Sequence, residues 1–213
     1  MEPDDNTDYK KKEYWDNRFD SEKNYDWLVS FPDVEDIIRM YVKPTDRILI
    51  VGCGNSEFSF QLYEAGFRNI TSIDYSDVVI SKMKEQYQQT PELTWTIADV
   101  RELSESFDAA SFDVVIDKAT MDALVVDQGS PWIPSQPAID DVFKMCKEMI
   151  FVLRPGGMFI QITFQELLFR RRFLEGYHIS STEQSGPLQW KLKESHRVPV
   201  GLGYQFIVMQ TLM

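Results

Sequence analysis

The stretch ILIVGCGNS (residues 48–56) joins a short apolar run to two closely spaced glycines. An uninterrupted apolar run such as residues 48–51 is typical of a strand buried on both faces of a parallel sheet. Gly52 and Gly54 follow it and precede a helix predicted over residues 56–65, so a ligand can approach the backbone N–H groups there. Two glycines after a strand also make an ordinary tight turn, so this signal is weak alone.

Strand and helix patterns alternate along the rest of the chain. Apolar runs predict four further strands, at residues 70–73, 93–98, 112–116 and 158–163. Helical spacing predicts helices over residues 32–42, 76–88 and 139–153. This alternation predicts an α/β fold with a doubly wound, mostly parallel sheet. Residues 188–194 and 204–209 have only a short connection and predict a finishing antiparallel pair, which brings the sheet to seven strands.

The N-terminal residues 1–44 are predicted to form a lid and a helix within a single domain spanning residues 1–213. Residues 1–12 are polar and charged and are expected to fray. Residues 13–27 are rich in aromatic side chains that another part of the protein must bury. They either cover a ligand or attach this segment to the core as a hydrophobic staple.

Composition and charge limit the kinds of partner that the protein is expected to bind and the compartment in which we expect it. The 22 Lys and Arg against 34 Asp and Glu give a net charge of −12, which disfavours nucleic acid, although such a charge also simply aids solubility. No apolar run approaches the roughly 20 residues of a membrane span. Cys53 and Cys146 are far apart, so the sequence predicts neither a disulfide framework nor a metal site. With no signal-like N-terminus, we expect a cytoplasmic protein.

Two acidic residues follow the next two predicted strands. Asp74 lies 20 residues after Gly54, and Asp99 ends the third strand. A carboxylate at this edge of a parallel sheet can accept hydrogen bonds from ribose hydroxyls, although each Asp alone also suits a helix cap or a turn. Glu57 stands where the GxGxxG fingerprint needs its third glycine, so NAD is disfavoured. The chain also lacks a GxxxxGK[ST] motif, which disfavours ATP.

The order of these motifs resembles the seven-stranded, Rossmann-like class I methyltransferases that depend on S-adenosylmethionine. The motifs are VGCG, SIDYS, ADV, FDVVIDKATMDAL and LRPGG, followed by the antiparallel pair. The segments EYWDNRF, YDW, GCGNS and DKATMDAL are similar to a eukaryotic subgroup that methylates translation elongation factor 1-alpha. The resemblance therefore implies a protein-lysine methyltransferase with an antiparallel C-terminal strand in its sheet and S-adenosyl-L-methionine as cofactor.

The resemblance also implies a set of cofactor-binding residues. Those at the amino-acid and ribose part are Gly52, Cys53, Gly54 and Asp74, and those at the adenine are Tyr75, Asp99 and Val100. Those over the methionine end are Trp15, Arg18 and Phe19, with Trp27 in the same lid and Lys118 on the cofactor side of the pocket. Phe19 stands where the family often has Tyr, so a hydroxyl contact is absent at that position.

Two acids near the end of the fourth strand are candidates for holding a substrate lysine. We hypothesise that Asp117 and Asp122 attract the amine, which then loses its proton to water. Asp117 and Lys118 could instead form an ordinary ion pair at the strand end. The segment GSPWIPSQP (129–137) either grips a protein substrate or simply connects two elements, and residues 170–172 (RRR) are expected on a solvated face.

Three functions are compatible with the sequence. The first is methylation of a lysine in elongation factor 1-alpha. The second is methylation of a small molecule, because the fold does not specify the acceptor. The third is a non-catalytic interaction module that keeps the fold, against which the intact glycine loop and both strand-end carboxylates argue.

Overall fold

The computed structural model describes residues 3, 5–127, 129–130, 132–176 and 188–213, so residues 1, 2 and 4 of the expected lid and residue 131 of the 129–137 segment lie outside it. Its main sheet has seven strands in the order β3-β2-β1-β4-β5-β7-β6. They are β1 Arg47–Val51, β2 Asn69–Asp74, β3 Leu93–Ile97, β4 Phe112–Lys118, β5 Leu153–Thr163, β6 Trp190–Val198 and β7 Tyr204–Thr211. Only β7 runs antiparallel to its neighbours, β5 and β6, so the predicted sheet is confirmed.

Helices cover both faces of this sheet. They are α1 Lys12–Ser21, α2 Glu35–Tyr41, α3 Phe58–Glu64, α4 Asp77–Gln86, α5 Thr120–Leu124, α6 Gln136–Val152 and α7 Leu167–Glu175. Short 3-10 helices cover Asn6–Lys10, Phe31–Asp33 and Leu103–Glu105, and a small antiparallel hairpin pairs Gly129–Ser130 with Ile133–Pro134. No helix in the described ranges combines the length and the apolar character needed to cross a membrane.

The central strand β1 shows why the apolar run is continuous. Ile48 and Ile50 belong to the core beneath α2, α3 and α4, whereas Leu49 and Val51 belong to the core beneath α5 and α6. All four are buried. Successive side chains of a strand point to opposite faces, so a strand covered on both sides needs apolar residues throughout. This places the carboxyl end of β1 in the interior of the molecule, where the glycine loop begins.

The structure corrects several predicted boundaries. Strand β5 begins at Leu153 instead of residue 158, because the Pro-Gly-Gly turn is itself part of the strand, with a register irregularity opposite Phe112 and Val114. The first residues do not fray up to residue 12, since Asn6–Lys10 and α1 are helical. The Tyr9 ring lies 5.6 Å from Trp15 and 5.8 Å from Trp27, contacts that local polarity does not reveal.

Candidate active site

A cavity of about 470 Å3 lies at the carboxyl ends of β1, β2, β3 and β4. Ligands of open α/β sheets bind at this edge, and the volume is in the usual range for small-molecule sites. Eleven of the twelve predicted cofactor residues line it, namely Trp15, Phe19, Trp27, Gly52, Cys53, Gly54, Asp74, Tyr75, Asp99, Val100 and Lys118. The structure therefore brings together residues that lie up to about a hundred positions apart in the sequence.

The glycine loop requires its first glycine for steric reasons. Gly52 has φ +56°, and a Cβ built on it would lie 2.1 Å from the Thr120 side-chain oxygen. Thr120 Oγ1 also donates a hydrogen bond to the Val51 carbonyl, at 2.9 Å, so this side chain is held against the loop. Gly54 has φ +51°, but its nearest neighbour would be the Phe19 ring at an ordinary 3.5 Å. The close approach of loop and α5 is thus the stricter constraint.

Asp74 organises the loop from the end of β2. Its carboxylate accepts hydrogen bonds from the backbone N–H of Gly54 and of Ser76, each at 3.0 Å. Only 5% of the residue is exposed. Burial raises the pKa of Asp74 to about 6, against the lowering effect of these hydrogen bonds. A carboxylate held by the backbone at the cavity wall is suited to accept hydrogen bonds from a diol.

Asp99 occupies the equivalent position after β3. Arg101 donates to both of its oxygens, with N–O distances of 2.7 and 3.0 Å, and also to Asp141 at 3.1 Å. Burial disfavours ionisation of Asp99, but the hydrogen bonds from Arg101 outweigh it, so the pKa of this carboxyl is lowered. Asp99 is therefore an ionised acceptor whose orientation is fixed by a bidentate pair.

The aromatic residues of the N-terminal segment form one wall of the cavity. The Trp15 ring stacks on Phe19 at 5.5 Å, and its indole N–H donates to the Tyr9 carbonyl at 2.7 Å. Trp27 contacts Trp15 edge-on at 6.2 Å. The Lys82 ammonium donates to the Phe19 carbonyl at 2.9 Å, which fastens the end of α1 to α4. These rings exclude water from the cavity and present faces that attract a cation.

Arg18 is the predicted cofactor residue that does not line the cavity. Its guanidinium is buried and forms an ion pair with Glu22 at 2.9 Å. It also lies over the Tyr25 and Trp27 rings, 5.0 Å from each ring centroid. Glu22 in turn accepts from the Asn55 side chain at 3.1 Å. The i, i+4 spacing within α1 makes the pair with Glu22 available locally. Arg18 therefore connects the aromatic wall to the glycine loop through Glu22 and Asn55, outside the cavity lining.

Lys118 reaches the lid from the end of β4. Its ammonium donates to the Trp27 carbonyl at 3.0 Å and lies 3.4 Å from Asp26. Burial lowers the pKa of Lys118. Asp26 also accepts a hydrogen bond from Ser56. The partner of Lys118 is therefore a lid residue and not its sequence neighbour Asp117.

The two predicted lysine-binding acids do not meet at the cavity. Asp117 is fully buried, and its carboxylate accepts from the Thr120 backbone N–H at 2.8 Å and the Gln161 amide at 2.7 Å. The left-handed backbone of Ala119, at φ 70°, turns the chain from β4 into α5 above this carboxylate. Asp117 thus caps a helix beneath the cavity, and only Asp122 lines it.

Asp122 is paired with a buried arginine. Its Oδ1 accepts hydrogen bonds from Arg170 and, at 2.6 Å, from the Thr163 hydroxyl, whereas its buried Oδ2 has no hydrogen-bond partner. Burial raises the pKa of Asp122, and the Arg170 charge acts against that rise. Arg170 itself is 0% exposed, so the expected solvated face is wrong at this position. The charge of Arg170 is compensated by Asp122, which belongs to α5. The two residues are 48 positions apart, so sequence proximity does not indicate the pair.

Sequence reasoning missed further lining residues. Two of them, Asn55 and Ser56, lie directly after the glycines in the glycine loop, and the others with polar or aromatic side chains include Asn6, Tyr9, Lys10, Arg101, Phe164 and Gln165. Arg101 could have been found, because it follows Asp99 by two positions and strand-end carboxylates attract basic partners. Tyr9 and Phe164 carry no such signal, since they reach the cavity only through packing of the lid and of the segment after β5.

The donor set fits S-adenosylmethionine. Asp74 supplies a carboxylate for ribose hydroxyls, and Asp99 with the Val100 N–H supplies the acceptor and donor that a neutral base needs. Trp15 and Phe19 supply aromatic faces for a cationic sulfur. These groups line one cavity of sufficient size, so the residues present suit each chemical part of this cofactor.

Comparisons with known proteins agree with this chemistry. The family model described as a methyltransferase domain matches residues 43–198. EEF1A lysine methyltransferase 4 of Bos taurus is 35% identical, over 96% of this chain and 76% of its own length. The protein of the same name from Mus musculus is 38% identical, over 80% of this chain and 67% of its own length. The N-methyltransferase NodS from Bradyrhizobium japonicum WM9, solved with S-adenosyl-L-homocysteine, has a TM-score of 0.58 at 14% identity and covers 97% of this chain and 99% of its own.

The match to the family model spans most of the chain, and two relatives exceed 30% identity over at least two thirds of their length. The predicted family and fold are thereby confirmed. The chain belongs to the methyltransferase domain family and is an S-adenosylmethionine-dependent methyltransferase.

Proposed function

We propose that this enzyme methylates a lysine side chain of translation elongation factor 1-alpha. The observation that carries the proposal is the extent of the match to the bovine relative. The family model begins at residue 43, but that relative covers 96% of this chain and therefore most of the N-terminal lid. The lid lines the cavity, so the similarity includes a part of the site that the fold alone does not specify. Translation takes place in the cytoplasm, which we propose as the compartment.

The names of the relatives favour a protein lysine over a small molecule as acceptor. The residues that line the cavity favour a catalytic protein over a non-catalytic module. An interaction platform has no need for Asp74, Asp99 and the aromatic wall in one place. We propose the following roles for these residues. Asp74 holds the ribose hydroxyls, while Asp99 and the Val100 N–H orient the base.

When bound, S-adenosylmethionine supplies a methyl group on a positively charged sulfur. Trp15, Phe19 and Trp27 exclude water around that end of the cavity. Attack requires a neutral amine in line with the methyl carbon, whereas a free lysine has a pKa of about 10.4. The work of the protein is therefore to position the amine and to let it lose a proton.

Asp122 is the acid placed to hold the substrate amine. The residue lines the cavity, whereas Asp117 does not. Arg170, on the other side of the carboxylate, keeps Asp122 in one orientation and offsets its charge. With the cofactor held by Asp74 and Asp99, the amine would lose its proton to water and would accept the methyl group that the cofactor supplies. Asp117 supports this arrangement from below by capping α5.

The test uses purified enzyme, labelled cofactor and purified elongation factor 1-alpha. We expect label in the factor, located to a lysine by mass spectrometry. Asp122→Asn should lower kcat about tenfold, because the negative charge beside the amine is lost, while the Kd of the cofactor stays unchanged. Asp140→Asn, an exposed position on α6, is the matched control. Absence of label from the factor, in an enzyme that still binds the cofactor, would overturn the proposal.

A further inference from the structure

A group of exposed apolar side chains lies beside the cavity, on the hairpin after α5 and on the segment around the start of α7. Its members are Trp132 (63% exposed), Ile133 (80%), Phe164 (59%) and Leu168 (64%), here called the mouth patch. Single exposed apolar residues need no explanation, but a cluster of large ones marks a binding surface. The mouth patch holds four of the eleven large apolar side chains that are exposed in the described part of the chain.

The mouth patch is held together by contacts to α7. The Trp132 ring packs edge-on against Phe169 at 4.8 Å. Arg172 donates a hydrogen bond to the Trp132 carbonyl at 3.0 Å. Leu168 lies one helical turn before Arg172, so it is on the face of α7 that carries the hairpin. A two-residue strand pair fixes the neighbouring Ile133. The apolar side chains are therefore presented on a supported surface.

Phe164 connects this surface to the active site. It lines the cavity and is also 59% exposed, so it lies at the opening. The next residue, Gln165, lines the cavity as well, and α7 begins two residues later at Leu167. Asp122, which we place next to the acceptor amine, contacts Thr163 at 2.6 Å, immediately before Phe164. The patch thus continues outward from the acceptor end of the cavity and not from the cofactor end.

The neighbouring charges on this surface already have partners. Arg171 pairs with Glu175 at 2.7 Å, and Glu166 accepts from the Gln205 amide at 3.3 Å. A small acceptor molecule that enters the cavity would leave the patch exposed. A protein that inserts one lysine must place the residues next to that lysine over the opening. Apolar side chains there would bury the patch, and aromatic residues such as Trp132 are the usual anchors of such contacts.

We propose that the mouth patch is the docking surface for the protein substrate and receives an apolar side chain next to the acceptor lysine. This inference rests on the proposed function, because it takes a protein as the acceptor. The sequence alone left open whether the segment 129–137 grips a protein substrate or only connects two elements. The proposal favours the gripping role.

The experiment measures methylation of purified elongation factor 1-alpha by the full chain and by two variants, Ile133→Glu and Leu168→Glu. Each puts a charge into the patch without touching the cavity lining. We expect KM for the protein substrate to rise about tenfold, as for loss of an apolar anchor, with kcat at saturation, cofactor Kd and Tm unchanged. Leu202→Glu is the control, since Leu202 is 92% exposed in the turn between β6 and β7.

Each outcome either supports or overturns the docking surface. A rise in KM for both patch variants but not for Leu202→Glu supports the docking surface. If the wild type methylates the factor and the patch variants match it in KM, the docking surface is overturned while the proposed function stands. If the wild type binds cofactor but transfers no label to the factor, the proposed function is overturned and the docking surface with it.

Discussion

Asp74 is the last residue of β2 and Asp117 the penultimate residue of β4, the two strands that flank β1, and they look alike in almost every local respect. Both are buried, both accept hydrogen bonds from the backbone, and burial raises the pKa of each to about 6. Nevertheless only Asp74 lines the cavity. Neither position in the sheet nor burial distinguishes an acid that meets a ligand from one that supports the fold.

The difference comes from what the backbone does next. The Asp74 carboxylate accepts hydrogen bonds from the backbone N–H groups of Gly54, in the glycine loop, and of Ser76, and it stays at the cavity wall. After Asp117, the left-handed Ala119 starts α5 at once, and Thr120 covers the carboxylate with its own N–H. In this pair, the acid that lines the cavity is the one over which the following turn does not close.

The largest effect should come from disrupting the contact between Gly52, which follows β1, and Thr120, which follows β4. Gly52→Ala puts a Cβ 2.1 Å from Thr120 Oγ1 in a residue with φ +56°. Overpacking and backbone strain together should lower the free energy of unfolding by about 3 kcal/mol and abolish cofactor binding. Urea denaturation and titration calorimetry measure the two effects. Gly54→Ala, at φ +51° without the clash, is the control. Equal losses for both variants would contradict the role given to Thr120.

A matched pair of isosteric variants tests the comparison itself. Asp74→Asn should raise the Kd of S-adenosylmethionine about 100-fold, because charge-assisted hydrogen bonds to the ribose are worth about 1.5–3 kcal/mol. Asp117→Asn should change that Kd by less than about threefold, because Asp117 does not line the cavity. Titration calorimetry of both proteins is the measurement. Similar losses in the two variants would show that burial, and not access to the cavity, sets the role of these acids.

The smallest effect concerns pH. The pKa of Asp74 is about 6 in the fold and about 3.9 in an unfolded chain, so protonation favours the fold. Stability that depends on Asp74 therefore rises as the pH falls from about 6 towards 4. Cofactor affinity should change in the opposite direction and fall about fivefold from pH 6 to pH 5, because the protonated acid no longer accepts from both hydroxyls. Calorimetry across this range, with Asp74→Asn as the pH-insensitive control, tests it. Equal slopes in both proteins would exclude Asp74 as the titrating group.

The cofactor end of the site could be predicted because its residues lie within short motifs. Gly52, Gly54, Asp74 and Asp99 each follow a recognisable strand, and the alternation of strands and helices brings the strand ends to one edge. The acceptor end could not be predicted in the same way. The pair of Asp122 with Arg170 joins residues 48 positions apart, and nothing local marks Arg170 as buried.

The sequence by itself determined the parallel sheet, the glycine loop and the order of the strand-end acids, because hydrophobic period and turn residues act over a few positions. Only the tertiary structure decided which carboxylates reach the cavity, that Arg18 pairs with Glu22 outside the cavity lining, and that Arg170 is buried behind Asp122. Those outcomes depend on which elements pack together, and the free energy of a buried charge depends on partners that the chain supplies from elsewhere.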